Sequence, residues 1–340
     1  MVHQIYYKIT NKDENHHGFQ YSDGLNILKE VFNDNPNNHC CAGGLYFTDV
    51  EHIFNFLEYR VYLREIILPL TDPNFKMIKD GNKYRANMIV LGRRYELFRL
   101  ETFKMLVAKG ADIHACEDLA LRYVSKNNHL DIFKYLINSG ANIHADNDSA
   151  LCHIAENGHF EIIKYLVENR SIVHEDYNTI MLLSAEKGYL EIVKYMVENG
   201  ADTYANKNYA LIFSASNGYL ELVKYLIENG SDIHERNDYA LYLSAAGGYL
   251  EIVKYLIKNG ANMHANDDAA LNISATDTHL DIVKYLVESG ANIHAKNDYA
   301  LRWSAKNDHL NVIKYLIDKG ANIHAENDQA LKWSTKNSHI

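Results

Sequence analysis

A histidine recurs every 30 residues through most of the chain, in nearly constant surroundings. The hexapeptide Gly-Ala-Asn-Ile-His-Ala stands at 140–145, 290–295 and 320–325, with close variants at 110–115 and 260–265. Imidazole binds transition metals and titrates near neutral pH, so such a row could hold metal ions, sense pH or serve the architecture. The row consists of His114, His144, His174, His234, His264, His294 and His324, with Tyr204 in the remaining position.

The spacing argues against a metal shared between repeats. Two imidazoles on one zinc need Zn–N distances of about 2.0–2.1 Å, which bring the two nitrogens within about 4 Å of each other. Equivalent residues of stacked helices are about 8–10 Å apart. We therefore predict no metal and no cofactor, and we interpret the histidine as a turn residue whose ring nitrogens bind local backbone groups.

A second group of possible ligands combines His16 and His17 with His39, Cys40 and Cys41. Adjacent ligands on one ion are strained, and the usual two-residue spacer is missing, so we interpret the group as a surface loop. A reactive free thiol there remains an open alternative. The sequence motifs of phosphate-binding loops, nucleophilic serines and zinc proteases are missing, so we predict no catalytic residues and no enzyme activity.

Composition narrows the possible partners. The 340 residues are 47% hydrophobic and carry a formal net charge of −10, with lysine and arginine scattered along the chain. Nucleic-acid binders carry a basic stripe, so we expect no nucleic-acid partner. No apolar run of about 18 residues exists, and the N-terminus lacks the pattern of a secretory signal. Four irregularly spaced cysteines fit a reducing compartment, so we expect a cytoplasmic protein that is not secreted.

The chain changes character near residue 95. All three prolines lie before this point, and from about residue 100 the 30-residue period takes over. Rows that start at Gly110 give seven full repeats and one partial repeat. We predict two domains, a small α+β domain at 1–95 and a repeat array at 97–340 with a half repeat at each end. In the first domain, a capping box at Thr48–Glu51 predicts a short helix, and 64–70 and 84–91 read as strands.

Each row predicts two helices. In 298–325 the first helix follows Asp298, whose carboxylate we expect to cap the N–H groups of the first turn. The second helix begins near Leu310, carries an apolar stripe and ends at Gly320 as a left-handed C-cap. A single helix pair cannot bury both of its faces, so the pairs must stack into a mostly α-helical solenoid. The same cap position is filled by Asp118, Asp148, Asn178, Asn208, Asp238, Asp268 and Asp328.

The second helix and turn of these rows resemble a known family. The strings GHFEIIKYLVENR at 158–170 and GGYLEIVKYLIKNGANMHA at 247–265 are similar to ankyrin repeats. The row length is 30 residues instead of the usual 33, and the Thr-Pro-Leu-His helix start is absent. This short form is similar to the ankyrin proteins of giant, mimivirus-like viruses. HHGFQYSDGLN and GGLYFTDVEHI resemble the leader domain that precedes such arrays.

The resemblance implies a binding surface on the first helices, which line the concave face of an ankyrin array together with the turn tips. Columns 119, 122 and 126 differ between rows and share one helix face, whereas column 123 is mostly apolar and reads as core. We expect Trp303 and Trp333 of that column to fill a thinning core at the end of the array. The predicted protein-binding patch consists of Tyr209, Ile212, Tyr239, Tyr242 and Ala246.

Two function classes follow. The first is a non-enzymatic scaffold, expected to be monomeric, that binds a host or viral protein in the host cytoplasm or a viral factory. The alternative is a substrate-selecting adaptor or enzyme whose activity resides in residues 1–95. For the patch itself, the competing interpretation is that the tyrosines only cover neighbouring turns. A tyrosine also recurs at 135 and its equivalents, and we interpret these tyrosines as a stacked ladder at the edge of the core.

Overall fold

The computed structural model describes residues 5–16, 18–35, 43–59, 61–201 and 204–336. The chain divides into two compact units, Met1–Ser171 and Ile172–Ile340, with the division inside the repeats. His17, His39, Cys40 and Cys41 lie outside the described residues, so the predicted loop or reactive thiol there stays a prediction. The predicted domain boundary near residue 95 likewise stays a prediction.

A seven-stranded antiparallel sheet forms the N-terminal part of the first unit. Its strand order is β4-β9-β6-β1-β5-β8-β7, and β2 and β3 form a separate two-stranded ribbon. The strands are β1 Tyr6–Thr10, β2 Asn15–His16, β3 Phe19–Gln20, β4 Gly24–Ile27, β5 Leu45–Asp49, β6 Tyr62–Ile67, β7 Met77–Asp80, β8 Lys83–Ala86 and β9 Met88–Glu96.

The expected α+β character of this region is confirmed, with differences in detail. Residues 84–91, predicted as one strand, belong to two strands separated at Asn87. The predicted helix is a 3-10 helix, Ile53–Tyr59. The predicted capping box is wrong, because Thr48 lies in β5 and its hydroxyl donates to the carbonyl of Asn82. Asp49 instead accepts from the His52 amide at the start of the helix.

The sheet buries one face through alternate residues of its strands. Leu45, Phe47, Ile66, Ile89 and Leu91 lie in this core. A buried arginine joins the ribbon to the sheet, since Arg64 donates to both carboxylate oxygens of Glu14 at 2.7 and 2.8 Å. Such bidentate pairing compensates for removing the guanidinium from water.

Helix pairs make up the rest of the chain, as the period predicts. The array opens with a second-type helix, α1 Leu100–Ala108. The first helices are α2 Ala115–Lys126, α4 Ala145–Glu156, α6 His174–Lys187, α8 Tyr204–Ser216, α10 Glu235–Ala246, α12 Ala265–Thr276, α14 Ala295–Lys306 and α16 Ala325–Lys336. The second helices are α3 Leu130–Asn138, α5 Phe160–Glu168, α7 Leu190–Glu198, α9 Leu220–Glu228, α11 Leu250–Lys258, α13 Leu280–Glu288 and α15 Leu310–Asp318.

Most first helices open with a left-handed turn. In α12 the residues Asn266, Asp267 and Asp268 have φ of 52°, 57° and 54°. The same three positions are left-handed in α2, α4, α10, α14 and α16. Left-handed backbone costs about 1–2 kcal/mol per residue, least for asparagine and aspartate, which occupy the second and third positions in most of these turns. This turn lets a 30-residue row reverse direction without the usual three extra residues.

The aspartate at the end of this turn does not act as the predicted cap. The carboxylate of Asp268 accepts from the amide of Asn292, in the following repeat, at 2.9 Å. The same oxygen lies 3.0 Å from Nδ1 of His264 in its own repeat. The histidine ring therefore meets a carboxylate, and not the backbone groups that we expected. Equivalent bridges from Asp118, Asp238 and Asp298 reach Asn142, Asn262 and Asn322.

The second helices follow the predicted pattern more closely. Gly260 ends α11 at φ 104°, as expected for a left-handed C-cap, and Lys254 pairs with Glu251 at 2.7 Å. Two of the recurring tyrosines contact a lysine of the preceding repeat. The ammonium groups of Lys134 and Lys194 lie 5.2 and 5.6 Å from the ring centres of Tyr165 and Tyr225. The predicted tyrosine ladder stays a prediction.

The longest helix in the described ranges has 14 residues. A helix needs about 20 apolar residues to cross a bilayer, and none of the helices in these ranges meets that requirement.

Candidate protein-binding surface

The first helices of the second unit each bury one side and leave the other half-exposed. In α10 the buried positions are Ala240, Leu241, Ser244 and Ala245, none more than 2% exposed. At 100° per residue these four cover one half of the helix, so positions 239, 242, 243 and 246 must lie on the other half. The structure shows all four of those residues as half-buried.

The prediction that column 123 belongs to the core is wrong. Every residue of the column in the described chain is half-buried. At about 100° per residue the column lies about 60° from column 120 and about 160° from column 121, which places it at the border between the buried and the exposed side of the helix. Its apolar character suggested burial, whereas a helical projection of the row would have placed it at this border. In the second unit this apolar stripe consists of Leu183, Phe213, Leu243, Ile273, Trp303 and Trp333.

Tyr239 and Tyr242 lie together beside this stripe. Their rings stack with centroids 5.7 Å apart and an interplanar angle of 9°, as residues three apart on one helix can. Burial, aided by the charges of Tyr239, Asp277 and Tyr299, raises the pKa of Tyr242. A phenol is neutral near pH 7 even at its ordinary pKa of about 10, so the Tyr242 hydroxyl is available as a donor. The pair presents a broad, rigid aromatic surface with two polar tips.

Tyr209 occupies the equivalent position one repeat earlier. The guanidinium of Arg236, at the start of α10, lies 4.7 Å from the centre of the Tyr209 ring and donates to its hydroxyl. The ring centre of Phe213, from the apolar stripe, lies 6.5 Å from that of Tyr209. Tyr209 therefore contacts both a cation and a second aromatic ring, and it is half-buried.

The remaining two predicted residues differ in exposure. Ile212 is only 4% exposed, so the expectation that it offers an exposed apolar group is wrong. Ala246 is half-buried, and its carbonyl accepts from Nε2 of His279 at 2.8 Å. The structure thus places Tyr209, Tyr239, Tyr242 and Ala246 at the half-exposed side, whereas Ile212 is buried.

Contrary to the prediction, the tryptophans at the end of the stripe do not fill the core. Trp303 is half-buried and stacks on Tyr299 at 5.3 Å, and its ring lies 5.7 Å from that of Trp333. The ammonium of Lys306 lies 3.7 Å from the centre of the Trp303 ring. The end of the stripe is therefore an aromatic and cationic surface, which is the composition of interface anchors.

Comparison with family models agrees with the repeat architecture. Models of ankyrin repeats match residues 95–178, 169–237 and 211–297, and a single-repeat model matches 297–328. Together they cover well over half of the chain. The chain belongs to the ankyrin-repeat family.

Similar ankyrin proteins come from Acanthamoeba polyphaga mimivirus. The chain is 51% identical to ankyrin repeat protein R868 over 133 residues, which are 38% of this chain and 65% of that protein. It is 45% identical to the uncharacterized protein R869 over 129 residues, 38% of this chain and 94% of R869. It is 42% identical to ankyrin repeat protein R896 over 127 residues, 37% of this chain and 38% of R896. The chain thus spans just under two thirds of the length of R868.

Membership of the family has a general functional meaning. Ankyrin arrays are interaction scaffolds, since stacked helix pairs build an extended surface on a rigid frame. In this ankyrin array the first helices supply the half-exposed apolar stripe and the tyrosines beside it. The surface thus has the aromatic centre and polar edge common to protein–protein interfaces.

Proposed function

We propose that this ankyrin protein is a non-enzymatic scaffold that binds a host or viral protein on the concave face formed by its first helices. The observation that carries the proposal is the apolar stripe, one half-exposed apolar side chain per repeat from Leu183 to Trp333. A monomeric soluble protein gains nothing in stability from leaving six such side chains partly in water, whereas a partner that covers them gains about 25 cal/mol per Å² of apolar area.

The tyrosines beside the stripe are proposed as the anchors of this surface. Tyr239 and Tyr242 are already stacked on one another, and Tyr209 contacts Arg236 and Phe213. A partner that meets preordered rings loses little side-chain entropy on binding, and a few such aromatic residues usually supply most of an interface's affinity. Ala246 lets the partner approach closely, and Ile212 supports the surface from below.

The proposed place of action is the cytoplasm or the viral factory of an infected cell. The relatives are proteins of a mimivirus, and the four cysteines are few and irregularly spaced, which fits a reducing compartment.

Substitution of the stacked pair tests the surface. We expect the full chain with Tyr239→Ala and Tyr242→Ala to lose its partner in affinity capture from lysate of infected cells, because truncating two central aromatic anchors costs about 2 kcal/mol or more. The matched control is Tyr255→Ala with Tyr285→Ala, which removes two half-buried tyrosines from the second helices α11 and α13. Retention of every captured protein by the first variant, or equal loss in both, would refute the proposed surface.

A further inference from the structure

Strand β4 forms an open edge of the N-terminal sheet. Within the described residues it pairs with β9 on one side and with no strand on the other. The opposite edge, β7, carries Lys79 within the strand and follows Lys76, and charged side chains of this kind prevent edge strands from pairing with other chains. The sequence of β4, Gly-Leu-Asn-Ile, contains no charge and no proline.

The side chains of β4 leave an apolar row in contact with water. Leu25 and Ile27 are 51% and 53% exposed. Leu25 stands opposite Val90 of β9, and Val90 stands opposite Ile67 of β6, which is 58% exposed. Residues in such lateral register share one face of the sheet, so the three side chains form a row that ends at the open edge.

The backbone of the same residues points outward. The amide of Leu28 donates to Asn87, on the side of β9. Successive residues of an antiparallel strand direct their N–H and C=O groups to alternate sides, so Leu25 and Ile27 direct theirs to the open edge. Two residues thus offer two donors and two acceptors in a line.

We propose that the protein forms a symmetric dimer in which two copies of β4 pair antiparallel about a two-fold axis at Asn26. In this register Leu25 of each copy lies opposite Ile27 of the other, and the outward N–H and C=O groups form four hydrogen bonds. The apolar row continues across the axis from Ile67, Val90 and Leu25 of one copy to Ile27 of the second. This dimer replaces the monomer expected from the sequence and does not depend on the proposed partner surface.

The charges that flank β4 favour the same antiparallel orientation. Asp23 precedes the strand and Lys29 follows it, and both side chains are exposed. β4 itself ends at Gly24 and Ile27, and the chain bends at Asp23 and at Lys29. Antiparallel pairing centred on Asn26 therefore brings the end of β4 that carries Asp23 in each copy next to the end that carries Lys29 in the other. Asp23 also contacts Arg64 at 2.6 Å, but its side chain remains 85% exposed and has a second oxygen available. A second copy therefore matches this edge in apolar pattern, hydrogen bonding and charge.

Sedimentation equilibrium of the full chain from about 1 to about 100 µM tests the dimer. We expect reversible dimerisation of the wild type and a monomer for Ile27→Lys, which places a charge on the pairing edge. The matched control Val61→Lys also charges an exposed apolar residue, 44% exposed, but lies beside the far end of β6 and should dimerise like the wild type. Far-UV circular dichroism verifies that both variants are folded.

A charge exchange tests the antiparallel orientation, and circular dichroism again verifies that each variant is folded. Lys29→Asp and Asp23→Lys should each weaken self-association about tenfold, because each places like charges opposite one another twice. An equimolar mixture of the two should form heterodimers of about wild-type affinity, since one pair then keeps its wild-type form and the other is restored with its charges exchanged. In the wild type Arg64 donates to Asp23 and to both carboxylate oxygens of Glu14, so we expect Glu14 to hold the guanidinium when Asp23 is replaced.

Three results would overturn the proposal. If the wild type is monomeric throughout the concentration range, the edge of β4 does not pair with a second copy. Dimerisation that survives Ile27→Lys would place the interface elsewhere. Assemblies larger than a dimer would contradict a closed two-fold pairing.

Discussion

At the scale of the residue, the aspartate of four of the turns joins neighbouring repeats directly. Asp268 is 4% exposed, and one of its oxygens serves both the Asn292 amide of the next repeat and the His264 ring of its own. A buried N–H that loses its acceptor costs about 1–3 kcal/mol. The recurring histidine is thus one member of a three-residue junction.

We expect Asp268→Ala to lower the free energy of unfolding by about 1–3 kcal/mol, because it leaves the Asn292 amide without its acceptor. Asp268→Asn should lower the free energy of unfolding by less, since asparagine already acts as the acceptor in another repeat of the chain. Asn208 occupies the equivalent position and accepts from the Asp232 amide at 2.7 Å. Urea unfolding of both variants provides the measurement, and an equal loss for alanine and asparagine would contradict the bridging role.

A second residue-scale prediction concerns His129. Its ring stacks on Phe98 at 5.0 Å, and burial lowers its pKa below the ordinary value. The unfolded chain therefore binds more protons in mild acid, and this residue reduces stability as the pH falls from about 7.5 to about 5.5. Tyr189, Tyr219 and Tyr249 stand at the equivalent position in other repeats.

We expect His129→Tyr to make the stability of the protein less sensitive to pH over that interval. Comparison of urea midpoints at the two pH values measures the effect, and an NMR titration of the His129 ring in the wild type measures the pKa directly. A titration midpoint at or above 6.5 would contradict the assignment of burial as the dominant influence.

At the scale of the element, the end of each second helix depends on left-handed backbone. Gly260 has φ 104°, and an added Cβ would meet no atom within 4 Å, so only the backbone disfavours another residue there. Arg170 stands at the equivalent position of an earlier repeat with φ 53°. A side chain with a β-carbon is strained in this conformation by about 1–2 kcal/mol.

We expect Gly260→Ala to destabilise the protein by about 1–2 kcal/mol and Arg170→Gly to stabilise it by about 1 kcal/mol. The control is Arg170→Ala, which removes the long side chain but keeps the strained backbone and should bring no gain. Urea midpoints of the three variants decide the matter. A gain for Arg170→Ala equal to that for Arg170→Gly would show that the arginine side chain, and not the backbone, is unfavourable.

At the scale of the whole molecule, the two proposed surfaces belong to different units. The partner surface lies on the first helices after residue 172, whereas the dimer edge lies on the N-terminal sheet. Loss of partner capture in the Tyr239 and Tyr242 variant should therefore leave self-association intact, and Ile27→Lys should leave the set of captured proteins unchanged. The two proposals can fail separately.

The 30-residue period of the sequence was sufficient to predict most of the fold. The local signals are the capping glycine at 110 and its equivalents, together with the recurring apolar stripe of the second helices. Each depends only on neighbours within a few turns of the same segment. They were sufficient to predict helix pairs, their stacking and the resemblance to ankyrin repeats. They also placed Tyr239 and Tyr242 on the same side of one helix, as the structure shows.

What the sequence could not supply is which side of each element another part of the chain covers. Ile212 and Trp303 are both large and apolar, yet the packing of neighbouring first helices buries the isoleucine and leaves the tryptophan half in water. Asp268 has a polar side chain that could cap its own helix, and only the position of the next repeat makes it a bridge. The open edge at β4 likewise follows from a strand order in which pairing partners are far apart in sequence. The recurring histidine therefore gave the repeat, and the contacts between repeats and strands gave the surfaces.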